Sequence, residues 1–60
     1  MQALAQDLLE GAVAAADFIG TRPRSVYRMV EGGQLPVIRK GRKLYFRKSE
    51  LERAFRSEAA

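Results

Sequence analysis

Apolar positions follow different periods along this chain, and each change of period marks an element. Residues 2–10 (Gln-Ala-Leu-Ala-Gln-Asp-Leu-Leu-Glu) are good helix formers, with Leu4 and Leu8 four apart on one face. They predict a helical or frayed segment over residues 1–11. Gly11 interrupts the pattern: it either caps the next helix or lies inside one long helix at a cost of about 1 kcal/mol. A separate element or frayed turn is the preferred reading. From Ala12 to Ile19 the period is helical, with Ala12, Ala15, Phe18 and Ile19 expected on one face. The small Ala15 on that face permits a close helix crossing. Gly20 suits the position just past the helix end.

A second helix is expected from about Arg22 to Glu31, with Thr21 as its N-cap and Pro23 in the first turn, where a missing N–H costs nothing. Val26, Met29 and Val30 form its apolar stripe. Arg24 and Arg28 lie four apart on the opposite side, flanked by Ser25 and Tyr27, and Gly32-Gly33 stops the helix. Leu35–Arg39 and Lys43–Phe46 then read as two strands joined at Gly41. With Gly41-Arg42 as the loop, Val37 opposes Phe46, Arg39 opposes Leu44, and Leu44 and Phe46 turn toward the core; a one-residue slip would reverse those faces. Ser49-Glu50-Leu51-Glu52 has the form of a capping box opening a last helix, which Leu51 and Phe55 anchor. Glu58-Ala59-Ala60 is expected to fray. The fold class is mainly α with a small β-hairpin.

Charge sharpens this picture. The net +4 conceals a segregation: residues 1–20 carry −3, residues 21–48 carry +8, and residues 49–60 carry −1. Nine bases (Arg22, Arg24, Arg28, Arg39, Lys40, Arg42, Lys43, Arg47, Lys48) face Glu31 alone in the middle block. A solubilising surface would intersperse its signs, whereas a block of this kind is the footprint expected for a polyanion. Because Val26, Met29, Val30, Leu35, Ile38, Leu44 and Phe46 interrupt it, it reads as a folded basic face and not a solvated tail.

Sixty residues make one domain at most, and a chain of this size buries only about 60% of its unfolded surface. Surface chemistry therefore fits better than a deep catalytic cleft. With no cysteine and no histidine, disulfides, thiol chemistry, the usual zinc ligand sets and a histidine base are excluded. No nucleophile–base pair or metal cluster stands out, and neither an enzymatic role nor a cofactor is expected. No apolar run approaches a membrane span, and the acidic start is unlike a signal peptide. A cytoplasmic, nucleoid-associated protein without membrane or small-molecule partners is the expectation.

Laid out this way, the chain resembles the excisionase-like branch of the MerR-type winged helix-turn-helix domains, including AlpA-like phage regulators. Ala14–Gly20 matches the first helix, Ser25–Val30 the second, Glu31–Pro36 the approach to the wing, Arg39–Lys43 the wing tip, and Phe46 with Ser49-Glu50-Leu51 the return to the last helix. The resemblance covers about residues 12–55, and a winged helix-turn-helix domain is expected over residues 12–60. Two departures stand out: Gly11 where relatives carry Thr or Ser, and the basic turn Thr21-Arg22-Pro23-Arg24.

In a helix-turn-helix the second helix enters the major groove. Arg24 and Arg28 can each offer two donors to guanine O6 and N7, and Ser25 and Tyr27 can reach a base edge or a phosphate. Tyr27 packing against the hairpin is an equal alternative. Thr21, Arg22, Arg47 and Lys48 are assigned to the DNA backbone. The wing residues Arg39, Lys40, Gly41, Arg42 and Lys43 are assigned to the adjacent minor groove, where narrow A·T-rich stretches concentrate negative potential. The resemblance implies a duplex DNA reader that occupies adjacent sites with neighbouring copies, bends DNA and assists a phage-type integrase. A small phage transcriptional regulator is the alternative, and a protein–protein adaptor with a basic docking face is the rival from another class.

Overall fold

The computed structural model describes residues 3–56; the expected fraying of Glu58-Ala59-Ala60 lies outside them. A single short turn, α1 (Leu4–Asp7), leads into strand β1 (Leu8–Glu10). Helices α2 (Gly11–Ile19) and α3 (Pro23–Glu31) follow, then the hairpin β2 (Ile38–Lys40) and β3 (Lys43–Arg47), and finally α4 (Lys48–Ala54). The sheet is three-stranded and antiparallel in the order β1-β3-β2, so β3 lies at its centre. The hairpin takes the expected register, with Arg39 opposite Leu44 and Gly41-Arg42 as the loop. Gly41 has φ +61° and no non-glycine residue among those described has positive φ, so the loop needs a left-handed residue at its first position only.

The core is built around β3. Phe46 and Leu51 are fully buried with Val26, Ala15 and Ala16, and Ala12, Val30 and Leu35 complete the cluster. Leu9, Ile19, Met29, Val37 and Leu44 pack against it, half-buried. On α2 the buried set is Ala12, Ala15 and Ala16, with Ile19 half-buried, the i, i+3, i+4, i+7 face of a helix. Phe18, assigned to that face from its spacing, lies outside it and is exposed. Phe55, expected to anchor the last helix with Leu51, is exposed as well. Leu51 alone anchors α4, and Phe18 and Phe55 instead flank an open groove with Ile19, Leu51 and Glu52.

The helix expected over residues 2–10 stops at Asp7, and Leu8, Leu9 and Glu10 pair with Arg47, Phe46 and Tyr45 of β3. Intrinsic helix preference spans less than about 1 kcal/mol per residue. A ladder on the free edge of β3, with Leu9 against the core, outweighs it. Gly11 makes the corner from strand to helix with φ +89°, a conformation a side chain would strain.

Helix capping also departs from the expected pattern. Arg22, not Thr21, is the N-cap of α3, with no side-chain cap bond, and Pro23 is the first helical residue. Thr21 instead belongs to the end of α2: its N–H and that of Gly20 both donate to the Ala16 carbonyl, at 2.9 and 2.8 Å. Ser49 is not the cap of α4 either, because the helix begins at Lys48. The capping acceptor comes from 42 residues away, as the Ser49 N–H donates to Asp7 Oδ1 at 2.8 Å. The Ser49 hydroxyl donates to Asp7 Oδ2 at 2.7 Å. Arg47 Nε donates to the same oxygen at 2.9 Å.

Asp7 is thus completely buried with a full set of donors. Its hydrogen bond from the Ser49 hydroxyl, aided by the Ser49 amide and the Arg47 charge, holds its pKa below the ordinary carboxylate value despite burial. A lowered folded-state pKa stabilises the fold above the unfolded value of about 3.9, and that contribution disappears as pH falls through the folded value. Stability measured by thermal melts should therefore fall on acidification below about pH 4, and Asp7→Asn should flatten that dependence. Asp7→Ala, which removes every bond at once, is expected to lower the melting temperature by more than about 5 °C at neutral pH.

Candidate nucleic-acid interface

Helix α3 owes its position to its inner face. Val26 and Val30 are buried with the small Ala15 and Ala16 of α2, which lets the two helices cross closely and fixes the outer face of α3. Arg24, Tyr27 and Arg28 are all exposed there, and Ser25 is half-buried. Tyr27 is 52% exposed, so it is no core residue. Gly20, Thr21 and Arg22 form the turn between the helices; Arg22 is exposed and Thr21 half-buried. Two arginines four apart on one helix face, about 6 Å along the axis, present planar donor forks of the kind that can pair with guanine O6 and N7.

The wing lies beside this face. Arg39, Lys40, Gly41, Arg42 and Lys43 are all exposed. Strand alternation separates them: Arg39 shares its side of the sheet with core-facing Leu44, while Lys40 and Lys43 oppose each other on the outer side with Ile38 and Tyr45. An open notch of about 390 Å³ separates α3 from the wing. It is lined by Tyr27 from α3, by Arg42, Lys43 and Leu44 from the wing, and by Glu10, Gly11 and Ala12 from the corner between β1 and α2. The structure thus brings Tyr27 together with Arg42 and Lys43, which stand 15 and 16 residues further along the chain.

Arg47 and Lys48 stand apart from this group. Arg47 ends β3, roughly 13 Å along the strand from Lys43, and Lys48 follows it. Arg47 binds Asp7 through Nε and Lys48 opens α4, both half-buried. Arg47 therefore has a structural task, and any contact to a backbone phosphate would have to come from its terminal nitrogens.

Residues 1–20 hold one site residue that reasoning from the sequence overlooked. Glu10 Oε2 lies 3.0 Å from Lys43 Nζ, with 56% and 65% of the two side chains exposed. The Glu10 hydrogen bond, reinforced by its charge, raises the Lys43 pKa above the ordinary ammonium value. The only signal in the sequence is an acid just before a glycine, and it becomes informative only once β1 is known to pair with β3.

No helix among the described residues is long and apolar enough to cross a membrane, and no cluster of three His, Cys, Asp or Glu residues suited to a metal occurs among them.

Residues 13–59 match the helix-turn-helix domain family, a span that takes in α2 from its third residue, α3, the wing and α4 and leaves out α1 and β1. No curated protein and no solved structure gives a significant match. The family match covers more than three-quarters of the chain and coincides with the two helices and hairpin just described. The chain therefore belongs to this family of excisionase- and AlpA-like small DNA-binding domains, and it is a DNA-binding helix-turn-helix protein with a hairpin wing.

Proposed function

We propose that this protein is a sequence-preferring reader of duplex DNA that serves as a recombination directionality factor. In this reading it occupies adjacent sites beside copies of itself, bends the DNA and helps a phage-type integrase assemble an excisive complex, in the cytoplasm on nucleoid DNA. The observation that carries the DNA-reading part is the exposed Arg24–Arg28 face of α3 set beside an exposed wing of four cations, Arg39, Lys40, Arg42 and Lys43. Membership of an excisionase- and AlpA-like family supports the biological role.

Arg24 and Arg28 read guanines in the major groove, and Ser25 and Tyr27 contact a neighbouring base edge or phosphate. Thr21 and Arg22, at the turn into α3, meet the backbone on one side of the groove, where the helix N-terminus favours an anion. The wing reaches the adjacent minor groove on the other side. An interface of this size on one short site binds weakly. Occupancy of neighbouring sites strengthens it without new DNA contacts.

Selection from a pool of random duplexes tests this reading. Retained sequences should carry a short motif repeated at close, direct spacing, and log K should fall with log salt at a slope near −5 or −6 if about five to seven phosphates are neutralised. An inverted repeat would favour the small transcriptional regulator. Absence of retention at low salt would overturn the DNA reading in favour of the adaptor.

Replacing Arg28 with Lys keeps the charge and removes the bidentate fork. Overall affinity for mixed-sequence DNA should stay within about threefold while discrimination at one guanine falls roughly tenfold or more, read by competition between duplexes that differ at one base pair. Equal discrimination by the two proteins would show that Arg28 makes no base contact.

A further inference from the structure

The notch between α3 and the wing contains one carboxylate among its cations. Glu10 ends β1 opposite Tyr45 of β3, and Lys43 is two residues from Tyr45 on the same strand. The two side chains therefore share a face as diagonal neighbours, within reach for long side chains. Gly11 turns the chain away immediately after Glu10, so the carboxylate is held at the edge of the notch by the ladder before it and the corner after it.

Lys43 has a second electrostatic neighbour. It stands directly opposite Lys40 across the hairpin, a like-charge pairing that is unfavourable on its own. Glu10, 3.0 Å from Lys43 Nζ, offsets that repulsion. A DNA phosphate drawn to Lys43 would approach Glu10 at nearly the same distance, so attraction and repulsion largely cancel there. Breaking the pair would leave a bare carboxylate beside the phosphate and restore the Lys40–Lys43 repulsion. Arg42, one residue away and lining the same notch beside Tyr27, has no ion-pair partner among the described residues.

We infer that Glu10 selects which wing cations meet DNA: it retains Lys43 on the protein and leaves Arg42 and Lys40 as the phosphate contacts of the wing tip. The inference rests on the DNA-reading function proposed above. It makes β1, which lies outside the family match, a determinant of how the wing engages the duplex.

A double-mutant cycle read through salt dependence tests it, using the full chain and one selected duplex. Each phosphate contact contributes about −0.9 to the slope of log K against log salt. Lys40→Gln serves as the reference and should flatten the slope by about that amount. With Glu10 present, Lys43→Gln removes no phosphate contact, so the slope should stay nearly unchanged, while the uncovered Glu10 carboxylate should lower affinity about two- to fivefold at low salt. Glu10→Gln should steepen the slope by about 0.9 and raise affinity about two- to fivefold at low salt, the range expected for one exposed ion pair. In the Glu10→Gln background, Lys43→Gln should then cost the full increment. A purely structural pair would not give this dependence of one substitution on the other. The inference is overturned if Lys43→Gln flattens the slope equally with and without Glu10, because Lys43 would then contact phosphate directly. A wild-type protein that fails to bind any duplex at low salt would instead overturn the functional reading, and the inference with it.

Discussion

A single buried carboxylate ties the two ends of this fold together. Asp7 accepts from the Ser49 amide, the Ser49 hydroxyl and Arg47 Nε, and is the one buried charged residue among those described. Leaving such a group buried without donors would cost several kcal/mol, so the three bonds are conditions of folding as much as contributions to it. They place the chain at the junction of β3 and α4 just before β1 begins. With that point held, Leu8–Glu10 can add to the edge of β3 and Leu9 can cover the core. The position of Glu10 beside the wing follows from the same anchor.

A small core then has to hold α3 and the wing in a fixed relation. Alanines do much of this work: with Ala12, Ala15 and Ala16 buried on α2, α3 approaches closely enough for Val26 and Val30 to join Phe46 in one cluster. Every apolar position spent on the inner face of α3 frees the outer one for Arg24, Tyr27 and Arg28. The wing draws on the same centre, since Phe46 is buried and Leu44 half-buried on the strand that ends in the cationic tip. Helix α3 and the wing are therefore two projections of one core, and their spacing is a property of packing. Intramolecular pairing then tunes the basic block: Arg47 is engaged by Asp7 and Lys43 by Glu10, so formal charge overstates the number of cations free to meet a polyanion.

Much of this was legible in the sequence because it is encoded locally. The stripe Val26-Met29-Val30, the stop at Gly32-Gly33, and Gly41 between two short apolar runs each occupy a few consecutive residues, and α3 and the hairpin register followed from them. The exposed positions of Arg24, Arg28 and the wing tip were legible for the same reason. What was not legible depends on contacts between distant residues. A three-residue strand over Leu8–Glu10 has too little alternation to compete with a helix-forming composition until β3 offers an edge. Ser49 resembled a cap because the true acceptor, Asp7, is 42 residues away. Spacing expects Phe18 and Phe55 inward, yet the inner face of α2 is taken by Ala12, Ala15, Ala16 and Ile19, and Leu51 is buried without Phe55. The Glu10–Lys43 pair was invisible for the same reason as β1.

In the function proposed above, duplex DNA is met by α3 and the wing together, across the notch between them. The most direct measurement is a titration of isotopically labelled protein with a selected duplex, following backbone amide shifts residue by residue. The largest changes are expected at residues 21–28 and 39–42, with the Asp7–Ser49 end of the sheet unmoved. Changes confined to α4 and the groove between Phe18 and Phe55, with α3 silent, would contradict it.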